Sequence, residues 1–106
     1  MESRRQQKME SLLKRAMSEI LMKQGGSFYP NKTLVSITSA KVSPDLSIAR
    51  FYLSVFNGED NAMLIDILNH HVHEFRRALG NKLRNHLRKI PEISFFLDDT
   101  IEHMHK

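Results

Sequence analysis

The chain has 106 residues, with 16 Lys and Arg against 12 Asp and Glu and a formal net charge of +4, a size that makes one domain able to close a hydrophobic core unaided. It contains no cysteine, which excludes disulfides, thiolate zinc sites and a cysteine nucleophile. No apolar run approaches the roughly 20 residues of a membrane-spanning helix, and the polar start Met1-Glu2-Ser3-Arg4-Arg5 has no apolar core for a secretion signal, so a cytoplasmic protein is expected.

Met9, Leu12, Leu13, Ala16, Met17, Ile20 and Leu21 fall on one helical face, with Lys8, Lys14, Arg15 and Lys23 opposite. Gly25-Gly26 is expected to stop this helix, and residues 27–32 read as a loop. Residues 33–42 read as a strand. Val35 and Ile37 alternate with polar residues but Val42 is out of phase, and one extra residue near Ser39-Ala40-Lys41, a β-bulge, restores the register. Ser43-Pro44-Asp45 is a turn. Residues 48–56 form a second strand, with Ala49, Phe51, Leu53 and Val55 on one side and Arg50, Tyr52 and Ser54 on the other. The short connection makes the pair an antiparallel hairpin.

Asp60 or Asn61 can cap the next helix, whose apolar face runs through Leu64, Ile65, Leu68, His71, Val72, Phe75 and Leu79. This helix is expected to reach Gly80, bend there, and continue as a shorter helix to about Lys89, where Pro91 closes it. Ile93, Phe95 and Leu97 alternate with Ser94, Phe96 and Asp98 as a third strand, and a short tail follows. The expected fold is α+β: a three-stranded sheet with helices packed on one face, in the order α-β-β-α-kink-α-β. One domain spans residues 1–106, with an ordered core over about 4–98 and a tail over 99–106.

Residues 76–91 are the most informative stretch. Arg76, Arg77, Lys82, Arg84, Arg88 and Lys89 occur there with no acidic residue among them, around an apolar stripe of Leu79, Leu83, Leu87 and Ile90. Arg77, Asn81, Arg84 and Arg88 are spaced by four, three and four, one ridge on a continuous helix, with Arg76, Lys82 and Lys89 to either side. A guanidinium pairs two donors with a phosphate, so the ridge is the candidate RNA contact. Arg4, Arg5, Lys8 and Arg15 on the first helix form a secondary candidate, and Lys41 and Arg50 a weaker one. The same cations suit an acidic protein patch, because carboxylate and phosphate attract them alike, or an ordinary solvated face.

Other chemistry finds little support. His70 and His73 are three apart on a helix, a spacing able to hold zinc, but no cysteine or well-placed carboxylate completes a ligand set, and no metal site is expected. Neither a nucleophile beside a base nor a phosphate-cradling glycine loop is present, so no catalysis, cofactor or small-molecule substrate is expected. Phe28, Tyr29, Tyr52 and Phe96 fall on outward phases. Tyr52 is able to stack on a base, although packing against the helix ends is the safer reading.

Three segments carry a resemblance: residues 42–53 (VSPDLSIARFYL), residues 75–84 (FRRALGNKLR) and residues 90–98 (IPEISFFLD). The element order resembles the type II KH fold, and the segments are similar to the ribosome-binding factor A family over roughly residues 4–100. An ordinary KH domain clamps the nucleic-acid backbone with a Gly-x-x-Gly loop; here Ala78-Leu79-Gly80 stands in its place and resembles the family's Ala-x-Gly interhelical kink. The resemblance implies a non-enzymatic assembly factor. It would bind the free 30S subunit and 16S rRNA, assist late rRNA maturation including the 5′ end, and be a monomer off the ribosome.

Overall fold

Ser3 opens the first helix. Its Oγ accepts the Gln6 N–H at 3.2 Å while Gln6 Oε1 accepts the Ser3 N–H at 2.8 Å, a reciprocal cap that satisfies amides a helix start leaves free. In the computed structural model, which describes residues 2–98, helix α1 (Arg4–Gln24) buries Leu13, Ala16, Met17, Ile20 and Leu21, as its apolar period requires. The tail expected over residues 99–106 lies outside the described residues. After α1 the chain makes a 3-10 turn, Gly25–Ser27. Gly25 keeps a right-handed helical φ of −59°, so it is not a left-handed stop. It provides room: a Cβ there would lie 2.0 Å from Tyr29 Oη, whose hydroxyl donates to the Leu21 carbonyl at 3.4 Å.

Strands β1 (Leu34–Val42) and β2 (Ile48–Phe56) pair antiparallel, and β3 (Glu92–Leu97) joins β2 in parallel, giving the order β1-β2-β3. The bulge is present, one residue before the stretch expected. Ile37 faces Leu53 and Ser39 faces Tyr52, leaving Thr38 as the extra residue. That insertion brings Ala40 and Val42 to the buried side with Ile37. A parallel β2–β3 pair needs a crossover, supplied by α2 (Asn61–His70) and α3 (Val72–Lys82). Asp60 Oδ1 caps α2 by accepting the Met63 N–H at 3.0 Å. The helices cover one face of the sheet, and between the layers lie Leu13, Met17, Phe51, Leu53, Leu68, Phe75, Leu79 and Phe95, all under 2% exposed.

Helical side chains bracket one residue on each edge of the sheet. On the β1 edge, Gln6 Nε2 donates to the Val42 carbonyl and Glu10 Oε2 accepts the Val42 N–H, both at 3.0 Å. On the β3 edge, the Asn69 amide donates to the Phe95 carbonyl and accepts the Phe95 N–H, both at 2.8 Å. Each bracket occupies backbone groups that a further strand would otherwise pair with.

Two expectations for the long helical segment are corrected. The break falls at His71 (φ −104°, ψ 23°), between α2 and α3, and not at Ala78 or Gly80, which lie inside continuous α3. Residues 70–73 combine three histidines with β-branched Val72, all weak helix formers. The Asn69 bonds hold the end of α2 against β3, and the His71 ring packs on Phe28 with centroids 4.9 Å apart. Gly80 instead admits Ile90, whose Cγ1 would lie 3.3 Å from an added Cβ. Second, α3 stops at Lys82 and does not reach Lys89. One further turn survives, with the Leu87 N–H on the Leu83 carbonyl at 3.0 Å. The chain must then swing back so that the Glu92 N–H meets the Ser47 carbonyl at 2.9 Å and β3 begins. Asn81, Asn85 and His86 offer little helical preference against that pull.

Candidate nucleic-acid interface

The early stop of α3 divides the cations of residues 76–89 into two kinds. Arg76 is half-buried and turned inward. Its Nε donates to the Pro91 carbonyl at 3.0 Å and its Nη2 to the Ile90 carbonyl at 2.8 Å, with Glu92 Oε1 3.9 Å away. It is the pin that holds the returning loop. Lys82 is also engaged: its ammonium pairs with Glu19 of α1. That bond, reinforced by the charges of Lys82, Lys23 and Arg15, holds the exposed Glu19 carboxyl below the usual glutamate range.

Arg77, Arg84, Arg88 and Lys89 are exposed or partly exposed, and none makes an ion pair among the described residues. Exposed Asn81 shares the solvent side of α3 with Arg77, four residues away. Arg84 sits in the turn after the helix and Arg88 in the bend beyond it. The single helical ridge expected from the spacing is therefore a short helical face continued by a loop. The cations therefore do not lie in one regular helical row.

Tertiary packing brings the secondary candidate alongside. A groove of about 430 Å³ runs between Arg5 and Met9 of α1, the hairpin turn at Asp45–Ser47, and the loop residues His86 to Lys89 with Pro91. Arg5 thus faces the same space as Arg88 and Lys89, while Met9, Leu46 and Leu87 pack down on the core beneath them. Farther along α1, the Glu19–Lys82 pair ties that helix to the end of α3. Arg4, Lys8 and Arg15 are exposed, and their spacing of four and seven keeps them on one stripe of α1. No acidic residue occupies the first turn of α1, where Arg4 and Arg5 instead add positive charge to the positive end of the helix dipole. That arrangement costs stability unless an anion is near.

One carboxylate, Asp45, also lines the groove. Its Oδ1 accepts the Ser43 hydroxyl at 2.7 Å, the Ser47 hydroxyl at 2.7 Å and the Ser47 N–H at 3.1 Å. These bonds lower its pKa to about 2, and their donors partly offset its charge. Its role is to shape the hairpin turn, where Leu46 adopts a left-handed φ of 62°.

Periodicity could not have revealed His86 or the approach of Arg5 to Arg88, because both depend on where the loop returns. Among the described residues no group of three or more His, Cys, Asp or Glu is arranged to hold a metal ion. His70 and His73 are both exposed, and His71 Nδ1 lies 3.1 Å from Glu74 Oε2.

Comparison with known proteins agrees with this architecture. A family model described as ribosome-binding factor A matches residues 5–106. A ribosome-binding factor A from Cytophaga hutchinsonii is 40% identical over 103 residues, covering 97% of this chain and 77% of that protein. One from Chlorobaculum parvum is 37% identical over 99 residues, covering 92% and 80%. Among solved structures, the crystal structure of ribosome-binding factor A from Thermus thermophilus superposes with a TM-score of 0.71 at 22% identity, covering 87% of this chain and 94% of that one. A homology model of the Thermus thermophilus protein, fitted into a cryo-EM map of its complex with 30S, gives 0.67 at 22% identity, covering 84% and 90%. These structures support the fold, the family model and the sequence relatives support descent, and the chain belongs to the ribosome-binding factor A family.

Proposed function

We propose that this protein binds the free 30S ribosomal subunit and assists late maturation of 16S rRNA, including its 5′ end. It is a binding factor and not an enzyme. Support comes from family membership and from the Thermus relative fitted into a 30S complex. The observation that carries the RNA contact is the set of cations without ion pairs among the described residues, Arg77, Arg84, Arg88 and Lys89, continued across the groove by Arg5. Asn81 and the α1 stripe of Arg4, Lys8 and Arg15 extend this surface. Arg76 and Lys82, tied to internal partners, act by holding its shape. The protein works as a cytoplasmic monomer off the ribosome. No helix among the described residues is long and apolar enough to cross a membrane.

A bound factor biases rRNA folding only by binding one RNA arrangement more tightly than another. The direct test is co-sedimentation of wild type and an Arg84→Glu/Arg88→Glu variant with immature and mature 30S particles. Wild type is expected to prefer immature particles and the folded variant to be lost from both. Undiminished binding by the variant would remove the RNA-contact assignment, and equal affinity for both particles would remove the maturation role. Recovery of the complex after RNase treatment would point to an acidic protein partner instead.

A further inference from the structure

The face of the sheet turned away from the helices carries an ordered pattern that the basic surface does not use. Strand register sets its rows. Lys41 of β1 lies opposite Arg50 of β2, which lies opposite Ser94 of β3. One same-face step along the strands, Ser39 lies opposite Tyr52, which lies opposite Phe96. The Tyr52 and Phe96 rings stack with centroids 5.5 Å apart and planes inclined by 27°, and Phe96 is 41% exposed. Three of their same-face neighbours, Ser39, Ser54 and Ser94, are serines, small beside the aromatic pair and able to bond to base edges; Arg50 and Asp98 flank the pair two residues away along β2 and β3.

The cationic row is unfavourable as it stands. Like charges directly opposite on neighbouring strands repel, and the Lys41–Arg50 pair is such a case. Lys41 has partial compensation from Glu2 at 3.8 Å; Arg50 has no ion pair among the described residues. The two cations share a cleft of about 260 Å³ with Pro44 and Ile48. Among the described residues the other carboxylates near this face are Glu92, opposite Ile48 and one same-face step from the Arg50 row, and Asp98, bonded to the Thr38 hydroxyl. An anion between Lys41 and Arg50 would relieve the repulsion. A flat π-system bound to that anion would fall on Tyr52 and Phe96, about 6.7 Å along the strand at two residues of rise. A nucleotide joins those two features over that distance.

From this juxtaposition we infer that the open sheet face is a second RNA site, which takes an unpaired RNA strand by stacking bases on Tyr52 and Phe96 and seating a phosphate between Lys41 and Arg50. The occupant is single-stranded because bases within a duplex have no free face to stack. The inference rests on the RNA-binding reading above and deepens it: the basic loop grips folded rRNA while the sheet holds an adjoining unpaired segment.

The test uses the full chain and fluorescently labelled oligouridylate and oligoadenylate of about twelve nucleotides, a length within the range one single-strand-binding fold covers, with a hairpin duplex of similar length as control. Phe96→Leu keeps the apolar surface and removes the stacking ring; Phe96→Trp restores a ring; Arg50→Glu attacks the phosphate seat independently. Circular dichroism checks that each variant folds. Base-on-aromatic stacking sets the expected loss for Phe96→Leu at about five- to a hundredfold in single-strand affinity, with recovery in Phe96→Trp and a comparable loss in Arg50→Glu. Arg84→Glu/Arg88→Glu is expected to retain the stacking dependence while losing 30S binding. Single-strand binding that ignores the sheet variants and vanishes with Arg84→Glu/Arg88→Glu would overturn the sheet site and leave the proposed function standing. So would 30S binding without any single-strand affinity. Sheet variants that weaken only an RNase-resistant 30S interaction would assign the face to a protein and overturn the inference. Absence of both single-strand and 30S binding would overturn the proposed function together with it.

Discussion

Adjacent Arg76 and Arg77 are expected to behave as different kinds of residue. Replacing Arg76 by Ala removes charge-assisted bonds to the Ile90 and Pro91 carbonyls, at 2.8 and 3.0 Å. Bonds of this kind contribute about 1.5–3 kcal/mol each. The side chain is 34% exposed, so solvent replaces part of each bond, and a net loss of about 3 kcal/mol is expected for the pair. In a domain near this size about 1 kcal/mol corresponds to roughly 4 °C or more, which puts the expected fall in melting temperature at roughly 10 °C or beyond. Arg76→Lys should recover little, because an ammonium keeps the charge but not the fork that reaches two carbonyls. Arg77→Ala removes a side chain with no ion pair and should stay within about 0.5 kcal/mol of wild type. In return it should lower the salt dependence of RNA binding by roughly 0.7 to 0.9 in log–log slope, the signature of one lost phosphate contact. Thermal unfolding and salt-titrated filter binding measure the two effects on the same preparations. A stable Arg76→Ala protein whose only defect is RNA affinity would refute the division between pin and contact.

Three other expectations concern the devices that hold this surface in place. Asn69→Ala strands both backbone groups of Phe95, which is 1% exposed; at about 1–3 kcal/mol for each buried group left unpaired, denaturant unfolding should show a loss of about 2–6 kcal/mol, and a neutral result would mean the edge bracket is not needed. Glu10 has its pKa raised above 4.5, first by burial and then by its contact with Glu2, against the lowering effect of the Val42 N–H. The folded chain thus binds this proton more tightly than the unfolded chain, and the favourable contribution is complete below pH 4.5 and lost as pH rises through the folded pKa. Glu10→Gln keeps an acceptor for Val42, so it should gain stability relative to wild type at neutral pH and lose that advantage on acidification; a pH-independent difference would contradict the assignment. Asp45 shows the opposite sign: its pKa falls from 3.8 to about 2, so its contribution is present above pH 3.8 and is lost as pH falls through about 2. Asp45→Asn should therefore be less stable than wild type at about pH 7, with the gap narrowing below pH 3.8 and closing as pH falls through about 2, and a gap as wide at about pH 2 as at about pH 7 would count against the serine bonds as the cause.

The parts of the fold that repeat with a simple period were readable from the residues alone. The apolar face of α1 and the alternation of Ala49, Phe51 and Leu53 each follow from burying one side of a regular element. Even the bulge was legible, because Val42 out of phase with Ile37 demands an extra residue, though alternation alone cannot say that Thr38 is the one inserted. The helical break was misplaced because glycine is the weakest helix former after proline, whereas the deciding forces at His71 are tertiary: Asn69 bonded to Phe95 and the His71 ring on Phe28. The end of α3 was missed for the same reason. Leu83, Leu87 and Ile90 keep a helical spacing, but Arg76 draws the chain back toward β3 before the pattern can be used. The candidate surface was thus legible as a list of cations and illegible as a shape. Which arginine turns inward, and which partner Arg5 meets across the groove, depend on contacts between residues far apart in the chain.

The central claim, that free cations on α3 and its following loop grip rRNA phosphates, is tested most directly by the salt dependence of 30S affinity. The comparison is wild type against a folded variant with Arg77, Arg84, Arg88 and Lys89 all replaced by Gln. At roughly 0.7 to 0.9 per phosphate contact, the account predicts a log–log slope shallower by about 3, with affinities that converge at high salt. An unchanged slope, with the variant binding as wild type does at every salt concentration, would contradict it.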